Sequence, residues 1–375
     1  MKELLARIPV APSYQLDWMR WHEAFAWIRA MQDCQQEPDF HAEGNVWIHT
    51  RMVCETLSAN AAWHALPEPD RATVFLAALL HDVAKPLCTR LEDGRLTSRG
   101  HSKLGAKLAR QILWQHGAPF AQREQIVALI AAHQVPFFLL ERAEPLPKLI
   151  EVSQTARCDF LALVADADAR GRTCVDAASQ QRIVDNTQLF AQYAEERGCL
   201  SVPFAFANDH SRVEFFRKAD RDPFYAAYDD TTCEVIVMSG LPGAGKDRWI
   251  VRHAPDWPVV SLDDLRRQFK FAPTGNQGVI VARAREQARE HLRRKQSFIW
   301  NSTNLSRSMR AHVLSLCADY GARVRIVYVE APYDLLFAQN QAREHSVPAA
   351  VLDKMFDRWE VPDLTEAHAV EYVLM

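Results

Sequence analysis

A glycine-rich stretch between Cys233 and Ile250 constrains the fold of this chain more than any other part of its sequence. It reads CEVIVMSGLPGAGKDRWI: a β-branched run, a glycine cluster and then Lys246. The β-branched run predicts a buried parallel strand. The glycines allow backbone N–H groups to turn toward an anion, and a helix that begins at Lys246 points its positive end at the same anion. The pattern therefore predicts a site for a nucleoside triphosphate.

The spacing of this motif is G-x-x-x-x-G-K, with Asp247 where Ser or Thr is usual. A glycine turn with a purely structural role is the alternative interpretation, but the strand before it and the helix after it favour phosphate binding. The residues expected to contact the nucleotide lie in the loop and the first turn of the helix. They are Gly240, Gly243, Ala244, Gly245, Lys246, Asp247 and Arg248.

The composition is that of a globular protein. At 375 residues, with 48% hydrophobic and 24% charged side chains, the chain has room for two domains. Its net charge of −3 excludes a protein that coats polyanions generally, so any contact with nucleic acid must come from a local basic patch. We find no signal peptide, no apolar run that could span a bilayer, and eight cysteines without a C-x-x-C pair. We therefore expect a cytoplasmic protein without a membrane partner.

The first half of the sequence reads as helices throughout, with no pair of strands. An apolar helix from Ala72 ends in the doublet His81-Asp82, and Pro86 is expected to stop it. Other histidines and acids lie on further predicted helices. They are His49 in a helix that begins near Asn45, His101 at the head of a later helix, His133 at the end of another, and Asp166 and Asp168 on a long helix.

The His81-Asp82 doublet is the strongest signal in this half. Taken singly, each histidine is more often a hydrogen-bonded or surface residue than a metal ligand. A charged aspartate and a histidine at the end of an apolar helix are costly to bury unless they are paired or bound to metal. Together with the other histidines and a terminal aspartate, they supply the imidazole and carboxylate ligands that divalent transition metals take.

The order H…HD…H…H…D resembles the HD phosphohydrolase superfamily, and the sequence from Asp168 to Arg172 is similar to the HD domain of bacterial tRNA nucleotidyltransferases. The resemblance covers about residues 40–175 and implies a phosphoesterase that uses one or two metal ions. The implied first set of ligands is His49, His81, Asp82 and Asp168, with Asp166 as an open alternative to Asp168, and His101 and His133 would add the second set.

Lys85 lies three residues after the doublet and matches the family lysine that contacts the substrate phosphate. Its position fits an ordinary cation at a helix C-terminus equally well. A divalent ion held by the implied ligands would lower the pKa of a bound water toward neutrality. The imidazole-rich ligand set favours Mn²⁺, Co²⁺ or Ni²⁺.

In the second half, Ser261 and Asp264 have the spacing of a helix capping box. Asp263 and Arg266 lie three residues apart on one face of the same predicted helix. Asp263 could serve the helix dipole alone. A carboxylate that accepts a hydroxyl proton, beside an arginine that holds a phosphate, would instead suit phosphoryl transfer to an alcohol.

Two more segments carry candidate contacts. The helix predicted at 278–295 is rich in arginine and glutamate, which favours a solvated, salt-bridged face over a track for a polynucleotide. The strand at 297–305 ends in small polar residues at the edge of the sheet where α/β proteins bind ligands. Arg343 precedes Val347-Pro348 and could close over a triphosphate, because guanidinium binds phosphate oxygens bidentately.

Four pieces, GLPGAGKD, SLDDLR, NSTNL and QNQAREHSVP, resemble the polynucleotide 5′-kinase family over about residues 233–360. The resemblance implies ATP, or another nucleoside triphosphate, with Mg²⁺. The implied roles are Lys246 on the β/γ phosphates, Asp263 as general base, Arg266 on the acceptor's phosphate, Thr303 and Asn304 near the acceptor, and Arg343 as the lid arginine. Ser302 stands where the phage member has Asp, so we hypothesise that Asp247 and Ser302 have exchanged carboxylate and hydroxyl around one Mg²⁺.

An HD phosphoesterase ahead of a polynucleotide kinase resembles the bacterial HD-domain–polynucleotide kinase end-healing enzymes over nearly the whole chain. We expect an all-α HD bundle at 1–200, a packed linker at 201–232 and an α/β P-loop kinase with a parallel sheet at 233–375. The family implies RNA or DNA ends with 5′-hydroxyl and 3′-phosphate or 2′,3′-cyclic phosphate as substrates, and functional coupling to a ligase. An HD nucleotidase joined to a small-molecule kinase, and an HD phosphohydrolase regulated by nucleotide, are the alternatives.

Overall fold

The computed structural model describes residues 1–218, 220–271, 277–342 and 346–375. Within these ranges the chain divides into two compact units, Met1–Ala205 and Phe206–Met375. We call them the helical unit and the α/β unit. The fold class expected from the sequence is confirmed, because a helical region precedes an α/β region with a five-stranded parallel sheet. No helix in the described part of the chain is both long and apolar enough to cross a bilayer.

The helices of the helical unit are α1 Lys2–Leu5, α2 Trp18–Ala24, α3 Ala26–Gln32, α4 Val46–Ser58, α5 Ala61–His64, α6 Glu68–Leu80, α7 Lys85–Cys88, α8 His101–Gln115, α9 Phe120–Ala132, α10 Val135–Phe138, α11 Leu146–Ser153, α12 Cys158–Arg170 and α13 Ala177–Glu196, with a 3₁₀ turn at Leu139–Glu141. The central helix is α6, which is buried continuously from Ala72 to Leu80. A helix that is apolar all round belongs inside a bundle, and α4, α9 and α12 pack against it.

A short β-hairpin interrupts the helical unit, and the expectation of no strand pair here is wrong. Strand β1, Arg90–Glu92, pairs in antiparallel register with β2, Arg95–Thr97. The turn is Asp93-Gly94, and both residues have positive φ. Asp-Gly is a strong signal for a two-residue hairpin turn. Strands of three residues, however, leave too little alternation to detect.

Pro86 does not stop α6, contrary to expectation. That helix already ends at Leu80, and Pro86 lies in the first turn of the short helix α7. Proline is tolerated there because the first N–H groups of a helix have no intrahelical partner. The turn between the two helices carries His81 and Asp82.

The α/β unit contains the strands β3 Cys233–Ser239, β4 Val259–Ser261, β5 Phe298–Asn301, β6 Ala322–Glu330 and β7 Ala369–Leu374, and the helices α14 Asp209–Arg217, α15 Lys246–His253, α16 Leu262–Gln268, α17 Gly278–Arg293, α18 Arg307–Asp319, α19 Tyr333–Gln341 and α20 Ala349–Phe356. The five strands are parallel in the order β4-β5-β3-β6-β7. The central strands β3 and β6 are almost wholly buried, as expected for a sheet covered on both faces.

Residues 206–232, most of the expected linker, belong to the α/β unit. Helix α14 is fixed there by Arg212, which donates to the backbone oxygens of Leu364 at 2.9 Å and His368 at 2.8 Å. The guanidinium group therefore ties the segment to the chain that leads into β7. A segment held in this way is part of the α/β unit's fold.

Candidate functional site

Separate elements of the helical unit bring six polar side chains to one buried cluster. None of the six is more than 6% exposed. Helix α4 carries the first, the turn after α6 the next two, α8 and α12 one each, and the residue that follows α9 is the sixth. They are His49, His81, Asp82, His101, His133 and Asp168. These are the six side chains that the family resemblance implied, and we call them the His/Asp cluster.

One part of the cluster surrounds His49. Its Nε2 atom lies 3.1 Å from Oδ1 of Asp168 and 3.3 Å from Nε2 of His81. The same atom of His81 lies 3.1 Å from Oδ2 of Asp82. Two imidazoles and two carboxylates thus point reactive atoms at a common centre, and His49, His81 and Asp82 have the spacing of a metal site.

The other part of the cluster surrounds His101. Its Nε2 atom lies 3.3 Å from Nε2 of His133 and 3.4 Å from Oδ1 of Asp82. Asp82 therefore turns one oxygen toward each part and lies between them. Asp82, His101 and His133 form a second group with metal-site spacing, so the geometry has room for one ion or for two.

The second nitrogen of each ring, Nδ1, lies within 3.0 Å of an oxygen atom. Nδ1 of His81 contacts the carbonyl oxygen of Ala78 at 2.7 Å, and Nδ1 of His133 contacts that of Ile130 at 2.8 Å. The remaining two rings follow the same rule, with His101 on the carbonyl of Ser98 at 2.8 Å and His49 3.0 Å from the carboxylate of Glu43. A proton held at Nδ1 leaves Nε2 as a lone pair that can bind metal.

The cluster fits a divalent metal ion. Nitrogen lone pairs 3.3 Å apart repel each other unless a proton or a cation lies between them. Both oxygens of Asp82 are buried, and although Nζ of Lys85 lies 2.7 Å from Oδ2, Oδ1 has no hydrogen-bond partner among the described residues. Buried acceptors in that state are unfavourable unless a cation satisfies them. Imidazole nitrogens with carboxylate oxygens are ligands for Mn²⁺, Co²⁺, Ni²⁺ or Zn²⁺.

The charges in the cluster influence each other strongly. Burial alone would raise the pKa of Asp82, but His81 and Lys85 hold it well below the ordinary range. Burial opposes protonation of His81, yet the neighbouring carboxylates raise its pKa. Burial lowers the pKa of His133 to about 3, and the charges of His81 and His101 add to this effect. Metal binding needs ionised carboxylates and neutral imidazoles. The low pKa values of Asp82 and His133 favour that state, whereas the raised pKa of His81 means that a metal must displace a proton there.

Lys85 is buried beside the cluster. Its Nζ atom lies 2.7 Å from Oδ2 of Asp82 and donates to Oε1 of Gln36 at 2.6 Å. Gln36 itself is 7% exposed, and its Nε2 group has no hydrogen-bond partner among the described residues. An ammonium and an amide N–H therefore lie together at the edge of the cluster, where the oxygens of a phosphate ester could accept from both.

The structure distinguishes between the two acids on α12. Asp168 is 1% exposed and lies in the cluster, where Arg172 also pairs with it. Asp166 instead forms an ion pair with Arg170 at 2.9 Å, and its side chain is 21% exposed. Asp168 is thus the only one of these two residues that is placed to bind a metal in the cluster.

Three residues that hold the cluster were missed from the sequence: Gln36, Glu43 and Arg172. The carboxylate of Glu43 lies 2.9 Å from His41 and 3.0 Å from His49, and it accepts from the backbone N–H of Thr173 at 2.9 Å. Burial works against ionisation of Glu43, but the hydrogen bonds from the two histidines lower its pKa. No local motif marks the contacts of Gln36 with Lys85 across 49 residues or of Glu43 with Thr173 across 130, whereas Arg172 pairs with Asp168 only four residues away.

The glycine loop of the α/β unit has the predicted strand–loop–helix form. Strand β3 ends at Ser239 and α15 begins at Lys246. Gly240 has a φ of 142°, and a Cβ atom there would lie 2.3 Å from the carbonyl oxygen of Val329. Only glycine fits this position. Gly245, with a φ of 97°, is the N-cap of α15.

Lys246 is held against the loop. Its Nζ atom donates to the carbonyl oxygens of Gly240 at 2.9 Å and Leu241 at 3.0 Å. A lysine in this position, with the N-terminus of α15 beside it, forms a cradle for phosphate. Gly243 and Ala244 complete the turn of the loop, and Arg248 is exposed in the first turn of the helix.

Asp247 lies on the exposed side of α15 at the carboxyl edge of the sheet. Its Oδ1 atom accepts from Nδ2 of Asn301 at 2.8 Å. Asn301 is the last residue of β5, the strand next to β3, and Ser302 follows it. The position that usually supplies a hydroxyl to Mg²⁺ therefore supplies a carboxylate that is supported by an amide.

Asp263 and Arg266 form an ion pair on α16. Arg266 also donates from Nε to Oε1 of Gln277 at 2.7 Å. The Asp263 side chain is 73% exposed, so solvent or a substrate can reach it. Ser261 caps the helix by accepting from the backbone N–H of Asp264 at 3.2 Å. The cap predicted from the sequence is thus present, and it leaves Asp263 available for another role.

The other residues predicted to contact a substrate are Thr303, Asn304 and Arg343, and the structure gives the first two different surroundings. The backbone oxygen of Thr303 accepts from the N–H of Gly240 at 2.9 Å, which joins the end of β5 to the loop. Asn304 is 4% exposed, and its amide donates to the carbonyl of Met238 at 2.7 Å. Its side chain is therefore engaged in the core and does not face a substrate. Arg343 lies outside the described residues.

The basic helix α17 carries ion pairs on its exposed face. Glu286 accepts from Arg289 at 3.1 Å and from Arg293 at 3.0 Å. Arg283 instead lies over the ring of Phe269, with 4.1 Å between the guanidinium carbon and the ring centroid. This agrees with the interpretation of the helix as a solvated, salt-bridged face.

Two family models match separate parts of the chain. One, described as an HD domain, matches residues 45–170, and the other, described as an AAA domain, matches residues 235–362. The chain joins an HD domain to a P-loop kinase-like domain. The HD domain lies in the helical unit, and the P-loop domain lies in the α/β unit.

The curated relatives reported below match part of this chain, and the matches span less than two thirds of their own length. An L-seryl-tRNA(Sec) kinase of Methanococcus maripaludis is 23% identical over an alignment of 147 residues that covers 35% of this chain and 58% of that protein. An A-adding tRNA nucleotidyltransferase of Deinococcus radiodurans is 36% identical over 87 residues, and a CC-adding tRNA nucleotidyltransferase of Thermus thermophilus is 36% identical over 86 residues. These last two matches cover 20% of this chain and 20% of each relative.

Two solved structures are also similar. A candidate kinase from Chloroflexus aurantiacus is 17% identical, with 39% of this chain and 86% of that chain covered, at a TM-score of 0.33. A sugar kinase from Janibacter is 17% identical, with 38% of this chain and 84% of that chain covered, at a TM-score of 0.28.

Proposed function

We propose that this chain is a bifunctional enzyme that heals broken nucleic-acid ends. The HD domain removes a 3′-phosphate. Where the end is a 2′,3′-cyclic phosphate, the domain first opens the ring and then removes the phosphate. The P-loop domain transfers the γ-phosphoryl group of a nucleoside triphosphate to a 5′-hydroxyl. The products, a 3′-hydroxyl and a 5′-phosphate, are the two ends that a ligase joins, so the two reactions serve one purpose.

In the HD domain, the chain's own residues would hold and polarise the phosphate ester. Lys85 and the free amide N–H of Gln36 would donate to phosphoryl oxygens and offset the charge that builds there. The six residues of the His/Asp cluster would hold a divalent ion. When bound, such an ion supplies Lewis-acid chemistry and lowers the pKa of water. Burial of the cluster keeps bulk water away from the charges and so strengthens their interactions.

In the P-loop domain, Lys246 and the loop N–H groups would hold the β- and γ-phosphates. Asp263 would accept the proton of the attacking 5′-hydroxyl as its oxygen bonds to the γ-phosphorus, and the nucleoside diphosphate would leave. Arg266 lies next to Asp263 and would hold a phosphate of the acceptor strand. Asp247, whose carboxylate accepts from the amide of Asn301, would hold Mg²⁺ at the edge of the sheet.

One observation carries the proposal. A single chain contains both a buried His/Asp cluster with Lys85 beside it and a P-loop, with the Asp263–Arg266 pair on the helix that follows β4. Either site alone fits many substrates. Together they suit the two phosphate reactions that a broken strand requires at its opposite ends.

The experiment uses an oligonucleotide with a 5′-hydroxyl and a 3′-phosphate, a nucleoside triphosphate and a series of divalent metals. We expect the wild type to process both ends. Asp82→Ala should abolish 3′-end processing and leave 5′-phosphorylation, whereas Lys246→Ala should do the reverse. A wild-type protein that modifies neither end in any metal would contradict the proposal, as would variants that each lose both reactions while remaining folded.

A second candidate is a kinase for a hydroxyl on another substrate, coupled to an HD nucleotidase. The match to an L-seryl-tRNA(Sec) kinase supports phosphoryl transfer to an alcohol and not specifically to a strand end. Arg266 separates the two candidates, because only an acceptor that carries a phosphate of its own gives this guanidinium a partner on the substrate. Arg266→Ala should raise the KM for a 3′-phosphorylated nucleoside acceptor and leave that for an unphosphorylated nucleoside unchanged if the acceptor is a strand.

A further inference from the structure

A second concave surface lies on the α/β unit, away from the P-loop. It is a cavity of about 420 Å³ at the edge of the sheet where β6 begins, with Gly321 and Ala322 in its wall. The P-loop follows the opposite end of the neighbouring parallel strand β3. Neither the proposed phosphoryl transfer nor the His/Asp cluster uses this cavity.

Cations converge in the cavity on a single buried carboxylate. Glu214, whose side chain is 9% exposed, pairs with Arg217 at 3.2 Å, with Arg221 at 3.1 Å and also with Lys218. Among the described residues, the one other carboxylate in the lining is that of Asp230. Three fixed positive charges therefore face two negative ones, on a protein whose formal net charge is −3. The lining is locally positive and has N–H donors for an anion.

Aromatic rings stand beside these cations. Tyr228 lines the cavity and is 85% exposed, and Tyr225 lines it at 50% exposure. Phe224, the residue before Tyr225, is 66% exposed. The guanidinium carbon of Arg221 lies 4.9 Å from the centroid of the Tyr225 ring. Three exposed rings within five residues leave flat apolar faces in contact with water, where a planar ligand could stack.

From this arrangement we infer that the cavity binds a single-stranded segment of nucleic acid. Unpaired bases stack on Tyr228 and Tyr225, and backbone phosphates accept from Arg217 and Arg221. Basic side chains interleaved with aromatic rings are the usual means of holding a strand without reading its sequence. The volume suits one or two nucleotides. The inference rests on the proposed function, because it adds a place where the strand is held apart from the reacting end.

The test measures equilibrium binding of the full-length protein to a fluorescent single-stranded oligonucleotide of about twelve nucleotides, without nucleoside triphosphate. Tyr228→Ala should raise the Kd about fivefold or more, because one stacked base is lost. Tyr228→Phe keeps the ring and should bind like the wild type. The double variant Arg217→Gln, Arg221→Gln should also bind more weakly, and its affinity should depend less steeply on salt.

Two comparisons sharpen the test. Arg293→Gln on α17 removes a cation that does not line the cavity, so it should leave the Kd unchanged. A fully paired duplex should compete more weakly than an unlabelled single strand, because its bases are not free to stack. Equal loss in Tyr228→Ala and Tyr228→Phe, wild-type binding by the double arginine variant, a larger effect of Arg293→Gln, or equal competition by duplex would each overturn the inference.

The binding test does not depend on catalytic activity, so failure of the cavity inference can be distinguished from failure of the proposed function. A wild-type protein that binds the strand through these residues but phosphorylates nothing would contradict the proposed function alone. A wild-type protein that phosphorylates strand ends, with unaltered strand affinity in all cavity variants, would contradict the cavity alone. Circular dichroism of each variant would show that the α/β unit remains folded.

Discussion

Nε2 of His101 lies 3.3 Å from Nε2 of His133, while Nδ1 of each ring contacts a backbone carbonyl oxygen. Nε2 of His49 likewise lies 3.3 Å from Nε2 of His81, with Nδ1 of His81 on a backbone carbonyl oxygen and Nδ1 of His49 beside the carboxylate of Glu43. In each pair of rings, the lone pairs of the two Nε2 atoms face each other and need a positive charge between them. The helical unit should therefore be more stable with a divalent ion than without one.

Divalent metal should raise the Tm of the protein. An ion present at about 100 times its Kd adds about 2.7 kcal/mol to the stability of the state that binds it. We expect Mn²⁺, Co²⁺ or Ni²⁺ to raise the Tm measured by differential scanning fluorimetry, and a chelator to reverse the effect. The metal content of the purified protein can be measured in parallel by mass spectrometry.

The two acids of α12 provide a matched pair for this experiment. Asp168→Asn should lower both the metal content and the metal-induced shift in Tm, since the carboxylate lies 3.1 Å from His49. Asp166→Asn should retain both, because Asp166 is paired with Arg170 outside the cluster. Equal behaviour of the two variants would contradict the assignment of the cluster as the metal site.

Gln36 should position Lys85 and the substrate phosphate without binding metal. Gln36→Ala removes the acceptor that holds Nζ of Lys85 at 2.6 Å. We expect kcat/KM for a 3′-phosphorylated oligonucleotide to fall by about 10- to 100-fold, as is typical when a residue that orients the groups around a metal site is lost. Metal content should not change.

The neighbouring Gln35 is exposed and serves as the control, so Gln35→Ala should behave like the wild type. Gln36→Glu offers a second comparison, because its negative charge would hold Lys85 more tightly but repel phosphate. A loss of metal in Gln36→Ala in proportion to the loss of activity would show that the residue is merely structural.

Asp247 should set the dependence of the kinase reaction on Mg²⁺. Asp247→Ala removes the carboxylate that Asn301 supports at 2.8 Å. We expect the Mg²⁺ concentration for half-maximal activity to rise by at least about tenfold. Binding of Mn²⁺ to the protein–nucleotide complex, followed by electron paramagnetic resonance, would weaken in the same variant.

Asp247→Ser restores the hydroxyl that this motif usually carries. It tests the hypothesis of an exchange with Ser302, because a hydroxyl at both positions leaves the site without its carboxylate. The double variant Asp247→Ser, Ser302→Asp should recover part of the lost affinity for metal. An unchanged metal titration in Asp247→Ala would refute the hypothesis.

The ion pair of Arg310 with Glu366 should be essential to the stability of the α/β unit. Arg310 is fully buried, and two of its nitrogens lie 2.8 Å from the two carboxylate oxygens of Glu366. Glu366→Ala leaves this guanidinium buried without its counter-charge, which typically costs about 3–5 kcal/mol. Urea unfolding would measure the loss.

An exposed pair in the same unit provides the comparison. Arg293→Ala breaks the contact of Arg293 with Glu286, where both side chains are about half exposed. Exposed pairs contribute little to stability because solvent screens them, so the midpoint should hardly move. Similar losses in the two variants would show that burial is not what makes the first pair important.

The α/β unit should lose stability as the pH falls through the range of His368. This ring accepts from the N–H of Val324 at 3.0 Å and lies 3.1 Å from His210. Burial lowers its pKa to about 4, and the charge of Arg323 and the His210 ring also lower it. The unfolded chain, with a pKa near 6.5, then binds the proton more readily than the folded protein does.

The sign follows from this difference. The contribution of neutral His368 is complete above pH 6.5 and is lost as the pH falls toward about 4, by at most about 3 kcal/mol. The Tm of His368→Gln should therefore depend less on pH across this range than that of the wild type. His312→Gln changes an exposed histidine and should show the wild-type dependence.

Much of the site was predictable because its motifs are local. The glycine loop specifies its own turn, as the geometry of Gly240 shows, and Asn45 and Ser261 cap the helices that the sequence predicted. The identity and order of the histidines on separate helices also pointed to one cluster. These features depend on neighbours a few residues apart, which a sequence displays directly.

Other features depend on distant partners. Gln36 meets Lys85 across 49 residues and Glu43 meets Thr173 across 130, and neither contact follows a sequence pattern. Asn304, expected near the acceptor, is instead engaged with the carbonyl of Met238. Which polar side chain faces a substrate and which supports the core is settled only when the strands pair.

The sequence by itself determined the two kinds of domain, the phosphate loop and the set of candidate ligands. Only the tertiary structure decided that Asp168 and not Asp166 enters the cluster. Two residues apart on a helix, these side chains point about 200° away from each other, and both lie beside apolar residues in the sequence. Their surroundings differ because α4 and α6 cover one face of α12. A carboxylate buried on that face must be stabilised by neighbouring charges or hydrogen bonds.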